Sequence, residues 1–167
     1  MEKISKNFQN TLFNDAELKT SKHDEIIMFA YNNIEEILEQ IMSDSYYLEN
    51  HKNFGFDLLK SKYAKIRLDR KILEKPLTSA NRQYINGFID LCIRYSYINE
   101  DYEIKNFIDI YIEAKSKKPF IGDIVRQINF YKSMTSENAI FILISPDILN
   151  DKEILSEQGI LSFNYCR

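Results

Sequence analysis

The stretch FIDIYIEAKSKKP, residues Phe107–Pro119, decides the fold, and its two charged residues raise the question of function. Successive side chains of a strand point to opposite faces. One predicted face is therefore apolar and buried, with Ile108, Ile110, Ile112 and Ala114. Glu113 and Lys115 share the other face, two residues apart, where both would be partly desolvated. An ordinary sheet does not need such a pair, so we ask whether it serves chemistry.

The composition is that of one globular domain. The chain has 167 residues, of which 44% are hydrophobic and 28% charged, which suits a single core. No apolar run approaches the roughly 20 residues of a membrane span. The first ten residues lack the apolar centre of a signal peptide. We therefore expect a single domain over residues 1–167, located in the cytoplasm and without a membrane partner.

Cysteine content excludes some classes of metal site. Cys92 and Cys166 are the two cysteines, and neither belongs to a CxxC pattern. They cannot by themselves supply a zinc site or an iron–sulfur cluster with four thiolates.

Charge gives a mixed indication. The net charge of -3 does not by itself suggest a nucleic-acid partner. Local basic groups are more informative, and either group suits a solvated face as well as a functional one. The first group, in LLKSKYAKIRLDRK, has Lys60, Lys62, Lys65, Arg67, Arg70 and Lys71, and the second has Lys115, Lys117 and Lys118.

Helical spacing begins near Ser21. Ser21 is a suitable N-cap, and Asp24 in the first turn favours the helix dipole. The predicted apolar face of this helix carries Ile27, Ala30, Ile34, Ile37 or Leu38, and Ile41. Residues 1–20 are predicted as an arm or short helix, and residues 54–63 as a helix or a loop.

The remainder predicts strands and further helices. KIRLDRKILEKP forms a first strand ending at Pro76, and INGFIDLCIRYSYI and EIKNFIDIYIEAK form a hairpin with a turn at residues 99–101. A helix within PFIGDIVRQINFYKSM, a buried strand AIFILIS, a helix from Pro146 and a last strand in GILSFNY follow. This order predicts an α/β domain with a mixed central sheet flanked by helices.

Strand parity brings a second carboxylate to Glu113. The alternation places Phe88, Asp90, Cys92 and Arg94 on one face of their strand, opposite Ile89, Leu91 and Ile93. With a turn centred near Glu100, Asp90 lies almost opposite Tyr111 and diagonal to Glu113. Two converging carboxylates favour Mg²⁺ or Mn²⁺, and Lys115 would orient an attacking water. Three other carboxylates remain open as members of the site: Asp109, Glu25 and Glu74.

These residues resemble the PD-(D/E)xK nuclease superfamily. The pattern is GFID with Asp90, followed by IEAK with Glu113 and Lys115. RQINFY places Gln127 and Tyr131 in a QxxxY pattern on the next helix, which is similar to the RecB-like branch. The resemblance covers roughly residues 20–145, which would form the motif-bearing core. Ile89 stands in place of the proline of the nominal motif, and the cysteines that bind a cluster in some RecB-like members are absent.

The resemblance implies a restriction-endonuclease-like fold and a Mg²⁺- or Mn²⁺-dependent deoxyribonuclease. Asp90 and Glu113 would bind the metal, with His23 of the first helix completing its shell. Lys115, Gln127 and Tyr131 would complete the catalytic set. Four basic residues are expected to contact DNA phosphates: Lys117, Lys118, Arg126 and Lys132. The alternative is a non-catalytic nuclease-fold subunit of a nucleic-acid-processing or defence complex, and a second copy or a protein partner would fit the small size.

Overall fold

The computed structural model describes residues 20–50, 65–78, 84–99, 104–135 and 139–166. Three of the predictions lie outside these residues: the N-terminal arm except Thr20, the segment 54–63, and turn residues 100 and 101. No helix of the described residues is long and apolar enough to cross a lipid bilayer.

Five strands form one mixed sheet in the order β1-β2-β3-β4-β5. Strands β1, β2 and β3 are antiparallel, and β3, β4 and β5 are parallel. Their bounds are β1 Lys65–Thr78, β2 Ile85–Asn99, β3 Ile104–Ala114, β4 Ile140–Ser145 and β5 Leu161–Asn164. The predicted α/β class and mixed sheet are confirmed. The predicted end of β1 at Pro76 is wrong, because β1 is an edge strand of this sheet, where the missing N–H of proline is tolerated.

Helices cover both faces of the sheet. Their bounds are α1 Ser21–Ser43, α2 Ser45–Asn50, α3 Ile121–Lys132 and α4 Lys152–Glu157, with a 3₁₀ turn at Leu149–Asp151 before α4. The helical piece predicted from Pro146 therefore begins three residues later. The short helix α2 was not predicted from the sequence, and it anchors Tyr47, whose hydroxyl lies 2.8 Å from the Ser162 hydroxyl of β5.

Helix α1 packs on the apolar face of β3. The predicted buried positions of α1 are confirmed, and they pack against Ile108, Ile110, Ile112 and Ala114. The predicted cap is wrong by one residue. Thr20 is the N-cap, with extended backbone and a hydroxyl oxygen that accepts a hydrogen bond from the His23 amide at 3.3 Å. Ser21 is already helical, so it cannot serve as the cap.

Helix α3 packs on the opposite face. Ile124, Ile128 and Tyr131 of α3 form a second hydrophobic cluster with residues of the sheet that include Cys92 and Tyr111. All six residues of β4 are buried, as predicted for a strand covered on both faces. Because side chains alternate along β3, Glu113 and Lys115 lie on the same face as Tyr111, at the end of the strand. This is the face that α3 covers.

The hairpin register differs from the prediction by two residues. Cys92, not Asp90, lies opposite Tyr111. Asn99 pairs with Ile104, two residues later than the predicted register requires, because the hairpin is centred between residues 101 and 102 and not at Glu100. Leu91 pairs with Ile112 at the end of this ladder, so Asp90 comes level with Glu113 and not diagonal to it.

The predicted face assignment of β2 is also wrong at one position. Ile89 belongs to the same hydrophobic cluster as Cys92, three residues away, whereas Leu91 and Ile93 belong to the α1 cluster. Strict alternation places residues three apart on opposite faces. The alternation of β2 is therefore interrupted between Ile89 and Cys92, at the position of Asp90.

Candidate active site

Glu113 is the centre of the candidate site. Glu113 is 5% exposed. One carboxylate oxygen, Oε1, accepts a hydrogen bond from Gln127 Nε2 at 2.8 Å and lies 3.2 Å from Lys115 Nζ. The other oxygen, Oε2, is buried and has no hydrogen-bond partner among the described residues. A buried carboxylate oxygen without a partner is costly, so a ligand that binds this atom would lower the cost.

Asp90 is fixed beside Glu113 by the backbone of β3. Since the β2–β3 ladder ends at Leu91 and Ile112, the amide of Ala114 lacks a strand partner from β2. Asp90 Oδ2 accepts a hydrogen bond from that amide at 2.8 Å. His23 of α1 approaches the same oxygen, with its Nε2 at 3.4 Å. The structure therefore brings Asp90 together with His23 and with Ala114, the residue that follows Glu113.

Backbone geometry on β1 accompanies the interruption at Asp90. The pairs Leu73–Leu91 and Lys75–Ile89 flank the position where Glu74 faces Asp90. Glu74 has a φ of 48°, in the left-handed region that side chains other than glycine seldom adopt. Residues held in this region are concentrated at functional sites. Both strands thus depart from regular geometry at the level of Glu113.

The ionisable groups of the site change one another's pKa. Burial, followed by the nearby charge of Asp90, raises the pKa of Glu113 to about 7, although Lys115 and Gln127 favour its ionised form. A hydrogen bond to Asp90 raises the pKa of His23, with burial opposing it. The two carboxylates therefore repel each other in a largely desolvated space.

Lys115 follows directly on β3. Its side chain is 9% exposed, and its backbone amide donates to the Ile144 carbonyl at 2.9 Å, which extends the pairing with β4. Burial and backbone pairing therefore restrict where the ammonium group can lie. The predicted placement of Glu113 and Lys115 together at the strand end is confirmed.

Gln127 and Tyr131 of α3 support Glu113 from above the sheet. Gln127 Nε2 also donates to the Tyr131 hydroxyl at 2.8 Å, and that hydroxyl donates to the Phe88 carbonyl at 3.3 Å. Gln127 Oε1 is buried without a partner among the described residues. The i and i+4 positions of the helix therefore link β2 to the Glu113 carboxylate.

The four predicted phosphate-contacting residues have different surroundings. Lys117 is exposed at the end of the motif. Lys118 forms an ion pair with Asp151 at 2.8 Å, and Arg126 pairs with Asp123 one helical turn earlier. Lys132 donates to the Gln158 and Gly159 carbonyls, the second at 3.2 Å, and burial lowers its pKa. Lys132 therefore connects α3 to the segment after α4.

Among the described residues, Asp109 forms an ion pair with Arg94 and does not contact Glu113. It lies opposite Arg94 in the β2–β3 register, and Arg94 Nε and Nη2 each donate to one of its oxygens at 2.6 Å. Lys75 Nζ lies 3.7 Å from Oδ2. Burial alone would raise the pKa of Asp109, but Arg94 and Lys75 hold it below its ordinary value. Asp109, which the sequence left open as a member of the site, is therefore engaged by Arg94 and Lys75.

The two remaining carboxylates, Glu25 and Glu74, do not point into the site. Glu25 accepts a hydrogen bond from the Tyr165 hydroxyl at 2.7 Å, on the side of α1 that packs near β5. Glu74 is exposed on β1, level with Asp90. Glu25 is therefore engaged outside the site, whereas Glu74 is a neighbour of the site through its backbone.

Two contacts of the site were not predicted from the sequence. They are the Ala114 amide that holds Asp90 and the Phe88 carbonyl that accepts from Tyr131. Both are backbone groups, so no residue type marks them. The end of the β2–β3 ladder was the signal that could have identified the first, and it depends on the register.

The metal-binding capacity of the site rests on few side chains. Across residues 20–50, 65–78, 84–99, 104–135 and 139–166, no group of three or more His, Cys, Asp or Glu side chains is arranged to hold a metal ion. Asp90 and Glu113 are the two carboxylates of the site, and His23 contacts Asp90. Comparison of the chain with protein-family models, with curated proteins and with solved structures gives no match.

Proposed function

We propose that this protein is a Mg²⁺- or Mn²⁺-dependent nuclease that hydrolyses phosphodiester bonds in DNA. The proposed core is the restriction-endonuclease-like fold of the PD-(D/E)xK superfamily, in its RecB-like branch. One observation carries the proposal. Glu113 is buried beside Asp90 and Lys115, with one oxygen held by Gln127 and the other without a partner among the described residues.

The donor set fits a hard divalent cation. A cation between the two carboxylates would relieve their repulsion and give Glu113 Oε2 a ligand. Mg²⁺ usually takes one or two carboxylates and keeps several waters, so a site with fewer than three acidic or imidazole ligands is sufficient. His23 contacts Asp90, which suits a residue that orients a metal-binding carboxylate. Its direct ligation of the metal stays a prediction.

The chain's own groups would then have distinct tasks. A bound cation would neutralise charge on the scissile phosphate and lower the pKa of a water molecule. Lys115, held against Glu113, would orient that water and stabilise the negative charge that develops on the phosphate. Gln127 and Tyr131 would hold the Glu113 carboxylate in one orientation, since their hydrogen bonds connect it to the Phe88 carbonyl.

Substrate contacts follow from exposure. Lys117 is the proposed phosphate contact nearest the motif, and Lys118 and Arg126 would exchange their ion pairs with Asp151 and Asp123 for phosphates. Lys132 donates to two backbone carbonyls, so its role would be to fix the position of α3.

Cleavage assays test the proposal. Linear, circular and single-stranded DNA and RNA are incubated with the protein and Mg²⁺ or Mn²⁺. We expect metal-dependent cleavage of DNA that stops with EDTA. Lys115→Ala should lower the rate by about 100-fold or more, the effect of removing one group that stabilises developing charge. Glu113→Gln should lower it at least as much, because it removes a carboxylate of the proposed metal site.

A matched control separates chemistry from folding. Glu25→Gln changes a carboxylate that contacts Tyr165, so it should cleave like the parent. Circular dichroism verifies that each variant is folded. Parental rates in folded Glu113→Gln would contradict the proposal.

A further inference from the structure

The face of the sheet that carries Glu113 continues beyond the candidate site. Residues directly opposite each other in a ladder share a face, so the registers define two rows on β1, β2 and β3 beyond Tyr111. Arg70, Arg94 and Asp109 form the first row, and Arg67, Ser96 and Phe107 form the second. We refer to these two rows as the β1–β3 track.

The track is positively charged although the whole chain is negative. Arg67 and Arg70 are exposed. Asp109 is the one carboxylate among the described side chains of the two rows, and Arg94 holds both of its oxygens. The two rows therefore hold three arginines and one carboxylate, and Asp69, exposed at the register shift between them, adds a second carboxylate beside the rows, on a chain with a net charge of -3. This surplus complements a polyanion, and it accounts for part of the basic group in LLKSKYAKIRLDRK.

An aromatic ring is exposed within this charge. Phe107 is 41% exposed, and the Arg94 guanidinium lies over its ring, 5.1 Å from the centroid. Nucleic-acid bases stack on aromatic rings and on arginine planes, and such stacking does not require a particular base. Bases within a duplex already stack on their neighbours, so an exposed ring on the face of a sheet favours unpaired bases.

The track lies on the same face of the sheet as the candidate site. Phe107 and Glu113 lie six residues apart on β3 and on the same face, which corresponds to about 20 Å at the rise of a strand. Tyr111 lies between them, and its hydroxyl accepts a hydrogen bond from Lys75 at 2.9 Å. Tyr111 itself is 4% exposed, in the hydrophobic cluster with α3. A bound strand would therefore pass beside it, along Lys75 of β1, whose side chain is 20% exposed, before it approaches Lys115.

We propose that the β1–β3 track binds single-stranded nucleic acid and leads it to Glu113 and Lys115. Arg67 and Arg70 contact phosphates, and Phe107 stacks on an unpaired base. The destination of the strand rests on the proposed nuclease function, whereas binding to the track does not require cleavage.

Binding without cleavage tests the track. A fluorescein-labelled oligothymidine of about 16 nucleotides is titrated with the protein in EDTA, and fluorescence anisotropy is recorded over a range of salt concentrations. Phe107→Leu should weaken binding about fivefold or more, the loss of one stacked base. Replacing both Arg67 and Arg70 by Gln should lower the slope of log K against log salt by about 1.4, because two phosphate contacts are lost.

Matched controls lie on the opposite face of the same strand. Leu68 is 43% exposed opposite Tyr95, and Lys71 lies opposite Ile93 and donates to the Tyr31 carbonyl of α1. Leu68→Ala and Lys71→Gln should bind like the parent. Equal binding by track variants and controls would overturn the proposal, as would equal affinity for a duplex of the same length that Phe107→Leu leaves unchanged.

The two proposals fail in different ways. If track variants bind weakly but the parent cleaves no substrate with any metal, the track stands and the nuclease function fails. If the parent cleaves DNA and the track variants bind and cleave like the parent, the nuclease function stands and the track fails.

Discussion

At the scale of single residues, the raised pKa and the buried environment of Glu113 require an explanation. Burial and the Asp90 charge raise its pKa to about 7. A buried carboxylate with a raised pKa destabilises the folded chain when it is ionised, whereas an apolar side chain would pack without this cost. A cation at the site would favour the ionised form. The raised pKa and the partnerless oxygen are therefore two consequences of one arrangement.

Stability should fall with rising pH in the metal-free protein. The folded chain holds a proton on Glu113 up to about pH 7, whereas the unfolded chain loses it near the ordinary pKa of 4.5. The folded state thus binds more protons between these two values, and the free energy of unfolding decreases there by on the order of 3 kcal/mol. Urea denaturation at a series of pH values in EDTA measures this decrease.

Glu113→Gln isolates the contribution of this carboxyl group. His23 also has a raised pKa, and it too favours the folded state at low pH, but it is retained in both proteins. The variant should therefore lose less stability than the parent over the same range. Parallel stability curves for parent and variant would show that Glu113 titrates normally.

At the scale of elements, α1 and α3 deliver side chains to opposite sides of one strand end. His23 lies in the first turn of α1, where its amide donates a hydrogen bond to the Thr20 hydroxyl oxygen. The hydrophobic spacing of α1 was sufficient to predict its buried face. It could not identify the cap, because Thr and Ser are both good capping residues and periodicity fixes a helix start only to within a residue or two.

Thr20→Ala should lower the free energy of unfolding by about 1 kcal/mol, the usual cost of losing an N-cap hydroxyl. Ser21→Ala is the matched control, and it should change stability by about 0.5 kcal/mol or less because Ser21 is helical and exposed. Thermal or urea unfolding of both variants provides the comparison. A larger loss for Ser21→Ala would show that the helix begins one residue later.

At the scale of the whole molecule, the site lies where two strands separate between two helices. The order of helices and strands was predictable, since alternation in β3 and the apolar run of β4 are strong signals. The register of β2 and β3 was not, because it depends on where their connection is centred, and an error of one residue there shifts every pair by two. The hydrogen bond from the Ala114 amide to Asp90 was also unpredictable, since it forms where the β2–β3 ladder ends and therefore depends on the same register.

The engagement of charged side chains is a further property that the sequence did not reveal. Lys132 and Asp109 look like equivalents of Lys117 and Asp90 in the sequence. In the fold, Lys132 donates to two carbonyls and Asp109 accepts from Arg94. Such pairings join segments far apart in sequence, and local patterns carry no information about them.

Calorimetric titration with Mn²⁺ tests most directly the central claim that Asp90 and Glu113 form one cation site. We expect the parent to bind the ion. Asp90→Asn and Glu113→Gln should each weaken binding more than tenfold, since loss even of a group that only supports a ligand costs about 10- to 100-fold. Asp109→Asn should keep the parental affinity while folded, because Asp109 is held by Arg94. Absence of binding by the parent, or parental affinity in folded Asp90→Asn, would contradict the claim.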